Sequence, residues 1–337
     1  MKVLFLTNKQ DSPSTRWRIL QFVPHFKAGG IECVVEEIPS GMMAKLATAK
    51  HGVGFDVVVL QKRLLPKLIS NRLRRNSKKL IFEFDDSVTM KKTNEDVHVS
   101  ATRERRFRRI VRDADLVTTT NEHLAEEARR VAADPARVRV MPTVIDLERW
   151  TTRGPAKENW PYVIGWMGSA AALPHLEIVQ SVLAKSCRRH KDLVVRVVCE
   201  EAPTLPGVRI EHKPFAAESE VEDIKAFDLA IAPMIEDPWT RGKVSTKILA
   251  YGAAGVPTIA SDVASHRLYL KDGESGYLCG TLSKWEERIE EMLGDPQKRD
   301  AMGRKARASI ENEYSLSAML PRYVELFREL AGAAAAK

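Results

Sequence analysis

Short apolar runs closed by turn residues alternate along the whole chain with longer stretches whose apolar positions recur at helical spacing. In the first half the runs predict strands at Lys2–Thr7, Glu32–Glu37, Val57–Gln61, Leu80–Phe84, Leu116–Thr119 and Val138–Met141. Helical stretches such as Arg16–Ala28 and Arg103–Arg112 lie between them. The second half repeats the alternation, with strands at Val163–Trp166, Val194–Cys199, Arg209–His212, Leu229–Ala232, Pro257–Ala260 and Gly276–Leu278. Its helices are predicted at Leu173–Arg189, Glu218–Ala226, Ser245–Ala254, Lys284–Leu293 and Pro296–Glu313. Strands that are nearly continuous in Val, Ile and Leu suit parallel sheets covered on both faces. Two doubly wound α/β domains follow, with ligands expected at the C-terminal ends of the strands and in the cleft between the halves.

The polar stretch ERWTTRGPAKENWP, around Leu147–Trp160, marks the boundary, giving domains 1–150 and 151–315. An amphipathic helix, Leu316–Leu330, follows once the second sheet is complete, and the closing AGAAAAK carries no pattern and is expected to fray. The length of 337 residues agrees with two domains that each bury a core. A hydrophobic share of 44% and a charged share of 29% belong to a globular protein, with no apolar run approaching the roughly 20 residues a membrane span needs. The opening MKVLFL is too short for a signal h-region. Cys33, Cys187, Cys199 and Cys279 lack CxxC spacing and read as reduced, buried thiols of a cytoplasmic protein.

Candidate chemistry concentrates between Glu236 and Asp262. A polar loop carrying Lys243 leads into a helix carrying Lys247, which stops at Gly255 before the strand Thr258-Ile259-Ala260. A helix start offers unpaired N–H groups, here at Val244–Thr246 around Ser245, and two lysines spaced i, i+4 project from one face. That combination suits a diphosphate; the alternative is a surface helix with solvated lysines. A nicotinamide dinucleotide fold is disfavoured, because TNKQDSPSTRWR follows the first strand without GxGxxG. The turn Gly165-Trp166-Met167-Gly168-Ser169 is too short for that fingerprint, yet it lets backbone approach a phosphate or sugar.

The segment Lys-x-x-x-Lys-Ile-Leu-x-Tyr-x-Ala-Ala-Gly-Val-Pro-x-Ile-Ala-Ser resembles the donor-site helix of retaining GT-B glycosyltransferases of glycosyltransferase family 4. MKVLFLTNKQDSPSTRWRILQFVPHFKAGGIE, FDVVVLQK, LIFEFDD, ADLVTTTNEHLAEEA, VMPTVID, VIGWMGS, FDLAIAPM and DPQKRDAMGRKARASIENEYS extend the likeness over nearly the whole chain. The resemblance implies a GT-B fold of two Rossmann-like domains facing a central cleft, with residues 316–337 crossing back onto the first. It implies a transferase that moves a sugar from a nucleotide-sugar to a glycan or lipid-linked acceptor, as in polysaccharide biosynthesis, with retention and with neither metal nor cofactor. Lys243 and Lys247 would then meet the leaving diphosphate, helped by Gly168, Ser169, Ser245 and the loop acids Glu236 and Asp237. Arg16 would contact donor phosphate or acceptor from the substrate loop; Arg18 would join it or pair structurally.

Asp85 and Asp86 end the strand LIFEF, near where many family members carry a histidine that touches the donor sugar. Adjacent carboxylates repel, so one is expected to pair with a nearby arginine or to hold its proton more tightly. They would bind sugar hydroxyls or orient the acceptor hydroxyl. Two other readings stay open, a helix-capping aspartate with a solvated neighbour and an acidic metal motif Glu83-x-Asp85 of the GT-A type. His123 reads as the second residue of a helix capped by Asn121, and His98 lies in an irregular polar stretch, KKTNEDVHVS. The family's signature pair of glutamates aligns with Gly242 and Ala250, neither of which binds a ribose diol. A glycosyltransferase-like protein retained for binding or scaffolding is therefore the alternative. Base selectivity is expected around Glu200–Pro203 and Lys213–Phe215.

The net charge of +8 is unevenly placed. Lys62, Arg63, Lys67, Arg72, Arg74, Arg75, Lys78 and Lys79 form one cluster; Arg103, Arg105, Arg106, Arg108, Arg109 and Arg112 form another. Solvated helix faces explain them, as does attraction to the anionic inner face of a membrane. Leu64, Leu65, Leu68, Ile69 and Leu73 within the first cluster are then expected to insert shallowly. Nucleic acid is not expected, because no stacking aromatics interleave with the basic residues.

Overall fold

The structure, a computed structural model, describes residues 1–92 and 97–332. It contains two compact units. The first comprises Met1–Val144, Gly242–Val244 and the segment from Leu316 onward; the second comprises Ile145–Arg241 and Ser245–Ser315.

Fourteen strands occur among the described residues. In the first unit they are β1 Lys2–Thr7, β2 Glu32–Glu37, β3 Val57–Gln61, β4 Leu80–Phe84, β5 Met90–Lys92, β6 Val97–Val99, β7 Leu116–Thr119 and β8 Val138–Val140. In the second they are β9 Val163–Met167, β10 Val194–Val198, β11 Ile210–Lys213, β12 Leu229–Ala232, β13 Thr258–Ser261 and β14 Tyr277–Cys279. The first unit holds a six-stranded sheet in the order β2-β1-β3-β4-β7-β8 and the second one in the order β11-β10-β9-β12-β13-β14. Both are parallel throughout. Strand order reverses between β1 and β3 in one sheet and between β9 and β12 in the other, and open α/β sheets bind ligands at such switch points, beyond the strand C-termini.

The strands are the apolar runs of the sequence, and they are buried because helices cover both faces. Val57, Val58 and Leu60 are fully buried, as are Leu80, Phe82 and Phe84. On one face of the first sheet, the helix Leu316–Ala331 packs Tyr323 and Phe327 against Phe5, Phe22 and Phe26, with Phe22 and Tyr323 ring centroids 4.7 Å apart. The second sheet closes around Trp166, Leu183, Val195, Ile231 and Ile289.

Three elements differ from the sequence reading. The stretch Arg16–Ala28 is a π-helical turn, Arg16–Leu20, followed by a separate helix, Val23–Ala28. Pro24 has no N–H to give to the Leu20 carbonyl, so the hydrogen-bond ladder is interrupted there and a new helix starts with the proline in its first turn. Leu173–Arg189 likewise divides into Pro174–Glu177 and Gln180–Arg189. The stretch holding His98 was expected to be irregular, yet β5 and β6 pair antiparallel there and bring Lys91 opposite His98. Residues 93–96 of that stretch lie outside the described residues. No helix among the described residues is long and apolar enough to cross a membrane.

Candidate functional site

In the second unit the switch point gathers the end of β9 and the helix Thr246–Ala253. Lys247 and Tyr251 stand one turn apart on the face of that helix that meets β9. The Lys247 ammonium lies 4.4 Å from the centroid of the Trp166 ring. The Met167 N–H donates to the Tyr251 hydroxyl at 2.8 Å. Gly168 makes this contact sterically feasible. A methyl group built there would come within 2.6 Å of the buried Trp166 ring and 3.3 Å of Lys247 Nζ. Ser169 is exposed, and the neighbouring Ala170 N–H donates to Glu200 at 3.1 Å.

Ser245 occupies the N-cap position of the Lys247 helix but makes no capping bond. Its hydroxyl is buried and finds no partner among the described residues. Helix starts normally satisfy their first N–H groups through such a side chain. Here that side-chain bond is missing, so the first N–H groups of the helix have no cap from Ser245.

His266 sits behind this corner, fully buried, with Nδ1 2.8 Å from the Ser261 carbonyl. That carbonyl accepts, so the proton is on Nδ1 and Nε2 carries a lone pair. Burial, reinforced by the nearby charges of Lys247 and His175, pushes His266 down to about 4. Held neutral, the imidazole adds no second positive charge near Lys247. His175 Nδ1 accepts the Ile235 N–H at 3.2 Å.

The loop before the helix corrects part of the sequence reading. The helix begins at Thr246, so Lys243 precedes it by three residues and shares no helical face with Lys247. Gly242–Val244 instead packs in the first unit, where Asn121 donates to the Gly242 carbonyl at 3.5 Å. Glu236 pairs with Arg241 at 3.1 Å. Asp237 caps its own turn, accepting the Thr240 N–H at 2.6 Å. Both acids are engaged within the loop. At the aligned glutamate positions, a side chain on Gly242 would strike the Ser87 hydroxyl at 2.4 Å, and Ala250 is buried. In the region expected to read the base, Lys213 pairs with the buried Asp223, and Phe215 is exposed.

In the first unit, β3 and β4 bring together a second set of groups. Lys62, immediately after β3, reaches Asp85 at 2.8 Å and Asp86 at 2.7 Å. The Ser14 hydroxyl donates to the other oxygen of Asp85 at 2.6 Å, so the loop after β1 is tied to the same point. The aspartates are therefore held by a lysine rather than by an arginine, and neither caps a helix. Glu83 does not combine with Asp85 in an acidic cage. It is buried and salt-bridged to Arg18 at 2.8 Å. Arg18 also donates to the Met141 carbonyl at 2.7 Å and is itself buried, so it is a core residue and not part of a substrate loop. Arg16, two residues earlier, is exposed. No group of three or more His, Cys, Asp or Glu among the described residues is placed to hold a metal ion.

His123 is the second residue of the helix Glu122–Arg129, whose N-cap Asn121 accepts the Leu124 N–H at 2.9 Å; it pairs with Glu127 at 3.4 Å. His98 is exposed on the hairpin. The leucines expected to insert into a bilayer mostly do not face solvent. Leu65, Ile69 and Leu73 are core residues because helical spacing aims them at the sheet, and only Leu68, 62% exposed, points outward. Lysine 62 was read as one charge in a basic run. Its place at the end of a buried strand, 24 residues before Asp86, was the available signal.

A cavity of about 340 Å³ in the second unit lies elsewhere, at the N-terminal ends of the strands, lined by Arg153, Gly255, Asp300, Arg304, Arg307 and Glu311. Two of its arginines are engaged locally: Arg153 donates to the Phe227 and Asp228 carbonyls and Arg307 to that of Trp150.

Comparison with known proteins follows the same lines. A family model described as glycosyl transferase-like matches residues 182–325. A D-inositol 3-phosphate glycosyltransferase from Gordonia bronchialis is 23% identical over 256 residues, covering 66% of this chain and 55% of that protein. The chain thus spans little more than half the length of that relative. HepE from Anabaena, solved in complex with UDP and glucose, superposes with a TM-score of 0.70 at 14% identity, covering 98% of this chain and 100% of that one. Sucrose-phosphate synthase from Thermosynechococcus elongatus gives 0.74 at 14% identity, covering 98% and 99%. The chain has the GT-B type of fold, with two Rossmann-like domains.

Proposed function

We propose that this chain is a glycosyltransferase that moves a sugar from a nucleoside-diphosphate sugar to a hydroxyl of a glycan or lipid-linked acceptor, with retention and without a metal. The observation that carries the reading is Lys247. Its ammonium is fixed over Trp166 at the β9/β12 switch point, beside an uncapped helix start. Charge that builds on a leaving diphosphate needs donors already in place, and this corner supplies a cation, helix N–H groups and the Ser245 hydroxyl. Lys247 takes the part that a metal ion plays in other phosphate chemistry. Gly168 and Ser169 leave room for the phosphates, and Lys243, in the segment that precedes the helix in the chain, is the second cation of the reading. Asp85 and Asp86 receive a sugar or acceptor hydroxyl, with Arg16 in the same role for an acidic acceptor. A relative named for glycosyl transfer, and a neighbour solved with UDP and glucose, support the class of donor.

Exposed Met42, Met43 and Leu68, with Lys45 and Lys67 nearby in sequence, support a further part of the reading, contact with an anionic bilayer at its cytoplasmic face. A second reading, a binding or scaffold protein, draws on Gly242 and Ala250, which offer no carboxylate to a ribose. Calorimetric titration with UDP-, GDP- and ADP-sugars distinguishes them. The transferase reading expects saturable binding of one nucleotide class and its loss in Lys247→Ala; no saturable heat with any of them favours the scaffold.

A further inference from the structure

The sugar-transfer reading leaves one costly feature of the first unit unexplained. Lys62 is the one non-glycine residue among those described with a left-handed backbone, at φ 56°. The Arg63 N–H donates to the Gln61 carbonyl at 2.7 Å across it, closing a γ-turn of the rare positive-φ kind. Its own N–H donates to the Glu83 carbonyl at 2.7 Å, which locks the turn to the end of β4. Such a conformation persists in a side-chain-bearing residue only where its surroundings over-determine it, and it clusters at functional sites. The strain coincides with a second cost, a largely buried ammonium between two carboxylates. Ion pairs of that kind return little stability, because desolvation offsets attraction. Glycine would remove the strain and an apolar residue the desolvation, yet the chain keeps lysine at the switch point.

We propose that Lys62 is the positioning residue of the acceptor-side carboxylates, its ammonium planted by the γ-turn so that Asp85 and Asp86 form one fixed pair addressing a substrate hydroxyl. The inference rests on the sugar-transfer reading and deepens it. The geometry divides the work. Asp85, with 12% of its side chain exposed, has the Lys62 ammonium against one oxygen and accepts the Ser14 hydroxyl on the other. Asp86 gives one oxygen to Lys62 and keeps 32% of its side chain exposed, so it is the member that can meet a ligand. The groups facing Asp86 are Lys62 from β3, Asp85 from β4 and Lys243 from the loop docked beside them. Burial raises the proton affinity of Asp86, Asp85 raises it further, and Lys62 and Lys243 oppose both. Burial works against the charge of Lys62 as well, but the two aspartates hold its proton above the ordinary lysine range. Loss of Lys62 therefore shifts Asp86 toward its protonated form and frees both side chains to rotate.

The test uses full-length Lys62→Gly, which adopts the turn without strain, Lys62→Met, which keeps side-chain bulk, and Lys62→Arg, which keeps the cation. Turnover is followed across pH by nucleotide release from UDP-, GDP- and ADP-sugars, and the aspartates are titrated by ¹³C-carboxylate resonance, assigned with Asp85→Asn and Asp86→Asn. Lys62→Gly and Lys62→Met are expected to lose about 100-fold in turnover, the scale of a small misplacement of reacting groups. The acid limb of their profile should move to higher pH, nucleotide affinity should hold, and Lys62→Arg should recover most of the rate. Wild-type turnover and an unmoved acid limb in Lys62→Gly would overturn the assignment, as would carboxylates that titrate where they do in the wild type. A wild-type protein that binds and consumes none of the nucleotide-sugars removes the transferase reading, and the role of Lys62 in it, even if the carboxylate titration shifts.

Discussion

Replacing Gly168 with alanine should weaken nucleotide binding without touching the nucleotide. The new methyl would lie 2.6 and 2.7 Å from two carbons of the Trp166 ring and 3.3 Å from Lys247 Nζ. Carbon atoms settle at about 3.5–4.0 Å, so the ring or the strand must give by about 1 Å. Trp166 is fully buried and has no slack, which places the cost in the range of about 1–3 kcal/mol for overpacking. As the ring moves, the ammonium 4.4 Å from its centroid loses its platform. A cation over an aromatic face is worth about 0.5–2 kcal/mol. Affinity for UDP should therefore fall roughly 3- to 30-fold, at about 1.4 kcal/mol per factor of ten. Isothermal titration gives the affinity and scanning calorimetry the stability. In a Lys247→Met background the same glycine change should no longer alter affinity, since the two act through one contact. Unchanged UDP affinity and melting temperature in Gly168→Ala, or an equal loss with Lys247 already removed, would refute the coupling.

Other outcomes follow from the buried charges. Arg18→Met should lower stability by about 3–5 kcal/mol in urea unfolding, because Glu83 is left buried and unpaired, and Arg18→Met/Glu83→Leu should recover most of it. A double variant no more stable than the single would show that the pair is not what suffers. His266 supplies a pH signature. Its folded-state value of about 4 lies below the ordinary 6.5, so its contribution is complete above pH 6.5 and is lost as pH falls toward 4. The 2.5-unit gap corresponds to about 3 kcal/mol at about 1.36 kcal/mol per unit. His266→Gln should flatten the fall in melting temperature between pH 6.5 and 4; an identical slope in both proteins would contradict a buried neutral imidazole.

Much of the fold could be read from the chain because both sheets are parallel. Strands buried on two faces are largely apolar, so β1, β3, β4, β7 and β12 appear in the sequence with the bounds they have in the structure, and the edge strand β2 shows through its short Cys-Val-Val run between glutamates. The hairpin of β5 and β6 did not, since polar residues such as Lys91 and His98 give an exposed ribbon no apolar run. The helix that carries Lys247 was legible because its polar start, its stop at Gly255 and the apolar strand after it lie close together in the sequence. The Lys243 register was not, because helix starts cannot be fixed to a single residue without the cap geometry. Lys62 was hidden for a different reason. What distinguishes it is a positive φ and two partners 23 and 24 residues away, and neither leaves a mark in local composition. The leucines of the basic cluster were misread because their charged neighbours suggested a surface, whereas helical periodicity turns Ile69 and Leu73 inward.

The account stands on a diphosphate lying against Lys247, and a crystal structure with UDP or another bound nucleoside diphosphate tests that most directly. A phosphate oxygen about 2.7–3.2 Å from Lys247 Nζ, beside Gly168 and the start of the helix Thr246–Ala253, is the result predicted. Nucleotide density in the cavity beside Arg153 and Arg304, at the far ends of the strands, with the Lys247 corner unoccupied, would contradict it.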